Sequence, residues 1–317
     1  MKILITGGAG FIGSNLVARL LKQKNNQIIV IDNLSTGSEE NIKEFYSDPN
    51  FEFIEYDITY ESVIEIIKKL NISEIYNFAC PASPKYYLKY PIETWEASVL
   101  GVRNLLIAIK GTNIKLFHSS TSEVYGDALE YPQNEEYFGN VNPIGVRACY
   151  DEGKRAAEAL IYDYIRKYNL DVRVARIFNT YGPKMRNSDG RIISNFIMQA
   201  LSNNDITIYG NGYQTRSFCY IDDTLDFIVL LMKSNIRIDY PLNVGNPYEL
   251  SVNEVAEIIK ERINSSSTII HVDSMKDDPQ KRKPDITMAA KKLNWHPKVN
   301  FEDGLNKTIN YFKNNYE

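Results

Sequence analysis

Cysteine is scarce in this chain. Cys80, Cys149 and Cys219 are scattered over 317 residues with no Cys-x-x-Cys and no Cys/His spacing. That excludes a disulfide framework and a zinc ribbon, and it fits a reducing compartment. Of three histidines, His118 and His271 have no partner at metal-ligand spacing, so no metal site is expected. Long apolar runs are missing too. FIVLLM at 227–232 is among the longest, far short of the ~20 residues that cross a bilayer. The opening MKILITGG reads as a strand, not as the charged and apolar regions of a secretory signal. Nor is there an excess of one charge: 36 basic residues face 40 acidic ones, for a net of -4. A dedicated nucleic-acid binder would carry a basic stripe. The expectation is a cytoplasmic protein that meets neither membrane nor nucleic acid, though a few placed arginines can still hold a small anionic ligand.

With 44% hydrophobic residues, the chain can build one large core or two modest ones. In the first half, KILIT, QIIVIDN, FEFIEYD, EIYNFA, IKLFHSS and VRVARIFN read as strands. They alternate with the helical patterns SNLVARLLKQ, SVIEIIKKL, SVLGVRNLLIAIKG and DEGKRAAEALIYDYIRKY. This alternation predicts an α/β fold, a Rossmann-like doubly wound parallel sheet buried on both faces. After residue 179 the rhythm changes to YGPKM, YGNGYQ and NVGNPYEL between short strands and helices. Residues 1–178 are therefore expected to form a cofactor domain. Residues 179–317 would form a smaller mixed α/β substrate domain over the sheet's carboxyl edge. The stretch near 216–232 is a candidate to return to the first domain. Asp222 and Asp223, ahead of TLDFIVLLM, read as a helix N-cap.

GGAGFIG at 7–13 lies between a predicted strand and a predicted helix. Gly7, Gly10 and Gly13 would permit a tight turn and close approach of a pyrophosphate to a helix N-terminus. Asp32 ends the next strand, where a carboxylate binds an adenosine ribose 2′-hydroxyl and repels a 2′-phosphate. NAD is thus expected over NADP. Phe11 and Ile12 within the loop, Asn33, Thr36 and Gly37 after the second strand, Asp57 and Ile58 after the third, and Ala79 after the fourth are further candidates to line the cofactor.

Tyr150 and Lys154 share a helix face at i,i+4 in CYDEGKR. A phenol ionises near pH ~10, and an ammonium plus a cationic nicotinamide would bring it towards use as a base. Thr121 ends an earlier strand and can bond the same substrate hydroxyl.

Gly-x-x-Gly-x-x-Gly with Thr…Tyr-x-x-x-Lys resembles the extended short-chain dehydrogenase/reductase superfamily of nucleotide-sugar enzymes. CPASP at 80–84, STSEVYGD at 120–127, GNVNPIG at 139–145, CYDEGKR at 149–155, RIFNTYGP at 176–183, DGRIISNF at 189–196 and QTRSF at 214–218 are similar to UDP-glucuronate decarboxylases, also called UDP-xylose synthases. The resemblance implies oxidation of a UDP-sugar at C4 with NAD. The C6 carboxylate then becomes that of a β-keto acid and leaves as CO₂, giving UDP-xylose or a UDP-4-keto-pentose.

It also implies a reason for Ser122. The 4,6-dehydratases of the superfamily usually carry Thr-Asp-Glu there, the Asp protonating a departing C6 hydroxyl. A decarboxylase has no such leaving group, and an acid would repel the substrate carboxylate. Glu123 is implied to orient the ring or a water, and Arg282 in KRKPD to hold a carboxylate or water. Asn179 and Arg191 would face the nucleotide, with Tyr209, Gln214 and Arg216 around uridine and diphosphate, and Tyr87 and Arg147 near the sugar. A homodimer is implied as well. Glu96 and Ser98 depart from the pattern, where UDP-xylose synthases usually carry Lys and Asn. Glu96 resembles the decarboxylase of bacterial polymyxin-resistance pathways, which releases a 4-keto pentose. A 4,6-dehydratase or 4-epimerase on the same scaffold, and an inactive NAD-binding regulatory protein, stay open as alternatives.

Overall fold

The near-continuous apolar runs of the first strands, buried on both faces, set the architecture. In the computed structural model, which describes residues 1–273 and 281–315, the first half runs β1 (Lys2–Thr6), α1 (Phe11–Leu21), β2 (Gln27–Asp32), β3 (Phe51–Glu55), α2 (Val63–Lys69), β4 (Glu74–Asn77), α3 (Pro84–Tyr87), α4 (Pro91–Glu96), α5 (Val102–Ile109), β5 (Lys115–Thr121), α6 (Ala148–Tyr168) and β6 (Val172–Ile177). A π-helical turn, Ala97–Gly101, joins α4 to α5.

The second half adds β7 (Thr180–Tyr181), α7 (Ile192–Leu201), β8 (Ile206–Tyr209), β9 (Thr215–Ser217), β10 (Cys219–Tyr220), α8 (Ile221–Lys233) and β11 (Leu242–Val244). It closes with β12 (Glu249–Ser251), α9 (Val252–Ile263), β13 (Ile269–Val272), β14 (Lys281–Arg282), α10 (Thr287–Leu293) and α11 (Phe301–Asn314).

Seven parallel strands form the central sheet in the order β11-β6-β5-β4-β1-β2-β3. Successive side chains leave opposite faces of a strand. Leu4, Ile29, Ile31, Ile75, Leu116 and Val172 accordingly meet Leu105, Leu106 and Ile161 of α5 and α6 on one face. Ile3, Ile5, Ile28, Val30, Tyr76 and Phe117 face the other way, onto Leu16 and Val17 of α1 and Phe227 and Ile228 of α8. That second core continues without a break into α7, α9 and α11 through Phe196, Ile259 and Phe312. The doubly wound parallel sheet is as expected. β11, a three-residue strand beyond the 216–232 stretch, also joins it, and α8 packs against α1, β5 and β6.

A buried polar network ties the sheet's far edge. Glu158 of α6 accepts from Ser120 Oγ at 2.5 Å and pairs with Arg176 at 2.7 Å. Arg176 donates to the Tyr125 hydroxyl at 3.0 Å, which donates on to Asn243 of β11 at 2.7 Å.

One local reading is corrected. Asp222 and Asp223 lie in the first turn of α8, whose N-cap is Tyr220. The buried Asp223 carboxylate instead accepts the backbone N–H groups of Lys298 and Val299 at 3.0 and 2.9 Å. Donors from a segment distant in the sequence outcompete a local cap.

Strand order reverses between β1 and β4, and at such a switch point the loops from adjacent strand ends part and leave a crevice. One cleft opens there, lined from β1, β2, β4, β5, α3 and α6 on the sheet side and from residues 177–218 and Arg282 opposite.

Candidate active site

At one end of the cleft the chain turns from β1 into α1. Gly7 has φ +73°, and a Cβ there would fall 2.6 Å from the backbone of Phe78 and Ala79. A Cβ on Gly13 would sit 2.2 Å from the Gly7 carbonyl oxygen. Only glycine lets helix, turn and neighbouring strand approach so closely. Gly10 caps α1 with no side-chain hydrogen bond, so the first-turn N–H groups and the positive end of the helix dipole remain for a ligand. Phe11 and Ile12 line the same wall.

Asp32 ends β2 with Oδ2 accepting from Ala9 N and Oδ1 from Leu34 N, each at 2.9 Å. Burial pushes its pKa up, and the two backbone donors oppose that rise. Asn33 donates to Asp57 at 2.7 Å, and Thr36, Gly37, Ile58 and Ala79 complete this half of the lining.

The other half is built where β5 ends and α6 begins. Thr121 Oγ1 accepts from the backbone N of Glu123 at 3.2 Å, capping the short 3₁₀ turn Ser122–Tyr125. The cap fixes the direction of Glu123, whose carboxylate becomes the hub of the site. Oε2 accepts from Arg282 Nη2 at 2.9 Å and from Arg147 Nη2, and Ser122 Oγ donates to Oε1 at 3.4 Å. Arg282 also reaches Asn179 Oδ1 at 3.5 Å. A carboxylate in place of Ser122 would stand directly against Glu123.

Tyr150 is buried, and burial drives its pKa far up, with the Cys80 thiol adding to the rise and the Thr121 hydroxyl opposing it. Lys154 donates to the Ser119 carbonyl of β5 at 2.8 Å, its ammonium 5.9 Å from the Tyr150 ring. The pair shares a helix face as expected. Without a cationic ligand beside it, however, the phenol is held protonated.

Tyr87 differs from expectation in detail. It stacks on Tyr150 with ring centroids 5.1 Å apart and planes 7° apart, and its buried hydroxyl has no hydrogen-bond partner. Its ring area is used against the Tyr150 ring, with Arg147 5.8 Å from its face. Arg191 pairs with Asp189 and lies 5.7 Å from the Phe11 ring, so it bridges the cofactor loop and the opposite wall. Arg216 is buried in the lining, while Tyr209, 42% exposed, and Gln214, which donates to the Tyr209 carbonyl at 2.8 Å, form the rim. Every expected site residue is thus brought to this cleft.

Asp151 was not among the expected site residues, and Ser98 was expected only as a departure from the family pattern. Asp151 sits one turn after Arg147 and is buried among the charged groups; its i,i+4 spacing from that arginine was visible. Ser98, on the π-helical turn, contacts Cys80 Sγ at 3.1 Å and packs on Gly153 of α6.

A protonatable phenol, a lysine behind it and a carboxylate held by two arginines suit proton transfer at a sugar hydroxyl beside an anionic group. Comparison with known proteins decides the family. The family model for GDP-mannose 4,6 dehydratase matches residues 4–308. UDP-glucuronic acid decarboxylase 3 of Arabidopsis thaliana is 50% identical over 305 residues, 96% of this chain and 87% of that one. The chain belongs to the UDP-glucuronic acid decarboxylase family. UDP-glucuronic acid decarboxylase 1 of Xenopus tropicalis is 46% identical over 100% of the chain and 73% of its own length. Among solved structures, UDP-glucuronic acid 4-epimerase from Bacillus cereus, in complex with UDP-glucuronic acid and NAD, superposes with a TM-score of 0.91 at 28% identity, covering 100% of both chains. Members of this decarboxylase family are enzymes of the wider epimerase/dehydratase group, which the shared sheet and cleft reflect.

Proposed function

We propose that this chain is an NAD-dependent UDP-glucuronate decarboxylase, releasing CO₂ and UDP-xylose or its 4-keto precursor. The observation that carries the reading is Ser122 between Thr121 and Glu123. The side chain at that position is neutral and small, and the Glu123 carboxylate beside it draws in Arg147 from the N-cap of α6 and Arg282 from β14. A dehydratase needs an acid at that position; a decarboxylase is better served without one.

The residues fit a dinucleotide. The backbone around Gly7 and Gly13 leaves a cradle that any Cβ would fill, the α1 N-terminus carries no side-chain cap, and Asp32 lines the cleft at the end of β2. NAD, when bound, supplies reversible two-electron oxidation at C4. Everything else falls to the chain. Tyr150 takes the C4 hydroxyl proton, with Thr121 bonding the same oxygen. Lys154 and the positive charge of the bound cofactor offset the burial that otherwise keeps the phenol neutral. Arg147 and Arg282 hold the C6 carboxylate or a water at C5 through their charged forks. Arg191, Arg216, Asn179, Gln214 and Tyr209 take the nucleotide and diphosphate.

Residues 1–178 serve the cofactor and 179–317 the nucleotide sugar, with α8 and β11 returning to the sheet. The protein acts in the cytoplasm as a homodimer. Among the described residues no helix is long and apolar enough to cross a membrane. Apolar side chains lie open along α4 and the π-helical turn, with Ile92 67% and Trp95 43% exposed. A symmetry mate would cover them. Chromatography of the nucleotide sugars after incubation with UDP-glucuronate tests the reading. UDP-xylose or a UDP-4-keto-pentose is expected; UDP-galacturonate alone would make the protein an epimerase.

A further inference from the structure

Four charged groups meet beside Tyr150. Glu123, on the turn after β5, is bonded to both Arg147 and Arg282. Behind Arg147, one helical turn on, stands Asp151, with Oδ2 3.6 Å from Arg147 Nε. That is an ion contact longer than a hydrogen bond. Its other oxygen, Oδ1, is buried and has no hydrogen-bond partner among the described residues. Tyr87 of α3, Cys149 and Tyr150 of α6, and Cys80 after β4 are further titratable neighbours. Among the described residues this cluster holds two carboxylates and two guanidiniums, so these four charges balance one another before any substrate arrives.

A substrate carboxylate entering on the cleft side of Arg147 would leave the cluster one negative charge in excess, in a place where water cannot spread it. Charge in a buried site is relieved most readily by protonating the carboxylate with the fewest bonds. Glu123 is bonded at both oxygens. Asp151 is not.

We infer that Asp151 is a positioning residue that takes up one proton when the substrate's C6 carboxylate binds and returns it when that carboxylate leaves as CO₂. Burial already raises its pKa to about 7, with the Glu123 charge adding and both arginines opposing. The inference rests on the decarboxylase reading and completes its proton balance. Loss of CO₂ leaves the C5–C6 electron pair on an enolate, and C5 must gain one proton for each CO₂ released. Neutral Asp151 also relieves Arg147 of one carboxylate contact while the substrate's occupies it.

The test is calorimetric titration of the cofactor-loaded Tyr150→Phe protein, which binds without turnover, at pH 8 in buffers of differing ionisation enthalpy. UDP-glucuronate should bind with uptake of close to one proton, and UDP-xylose, which lacks the carboxylate, with close to none. Adding Asp151→Asn should remove the uptake while UDP-glucuronate still binds. Undiminished uptake in that double variant, or binding of UDP-glucuronate with no uptake in the first protein, overturns the inference and leaves the decarboxylase reading intact. Failure of UDP-glucuronate to bind at all removes both. Should Asp151→Asn not fold, infrared difference spectra of the Tyr150→Phe protein with isotope-labelled aspartate settle it. A protonated-carboxyl band that appears with UDP-glucuronate and shifts with the label supports the inference, and its absence refutes it.

Discussion

In the proposed reaction Tyr150 is the base, and the fold alone keeps it out of action: burial raises its phenol pKa and Lys154 is engaged by the Ser119 carbonyl. Removing only the hydroxyl should therefore remove only the chemistry. Tyr150→Phe is expected to abolish turnover and leave UDP-sugar affinity within about twofold, which isothermal titration and a product assay check together. Ser122→Asp would set a second carboxylate against Glu123 and against the substrate's own. UDP-glucuronate should bind at least ~10-fold more weakly, while UDP-xylose should lose much less; equal losses would mean that the pocket had simply been blocked. Thr121, Tyr150 and Lys154 were legible because helix geometry and strand ends fix them locally. The stacking of Tyr87 on Tyr150 was not, because α3 and α6 meet only in the folded chain. Asp151 was half legible: its spacing from Arg147 could be read, its burial could not.

At the scale of elements, the strands of the first half follow directly from short runs of Val, Ile and Leu, and the turn of β1 into α1 from its glycines. Short elements were harder. β11 is three residues long and gains its place in the sheet by pairing with β6, not from any pattern of its own. Asp223 shows the same thing in miniature, since its partners Lys298 and Val299 lie in a segment no local rule would bring near. Asp223→Ala should take the acceptor from the N–H groups of exposed Lys298 and half-buried Val299. A loss of about 1–2 kcal/mol in urea unfolding is expected, with catalytic constants little changed in the protein that remains folded.

For the whole molecule, the proposed dimer would use the open apolar face of α4 and the π-helical turn. Sedimentation of the wild type should give twice the 36.4 kDa chain mass, and Ile92→Glu, placed in that face, should shift it to monomer at micromolar concentration. A wild-type monomer would dismiss the dimer and leave the active site untouched, since each site is built within one chain. The proposed reaction removes C6 from a uronic acid in this cleft. Its most direct test is to supply UDP-glucuronate labelled with ¹³C at C6 to the purified protein and measure labelled CO₂ against nucleotide sugar consumed. One CO₂ per sugar consumed is predicted; consumption of the sugar with the label still in the nucleotide fraction would contradict it.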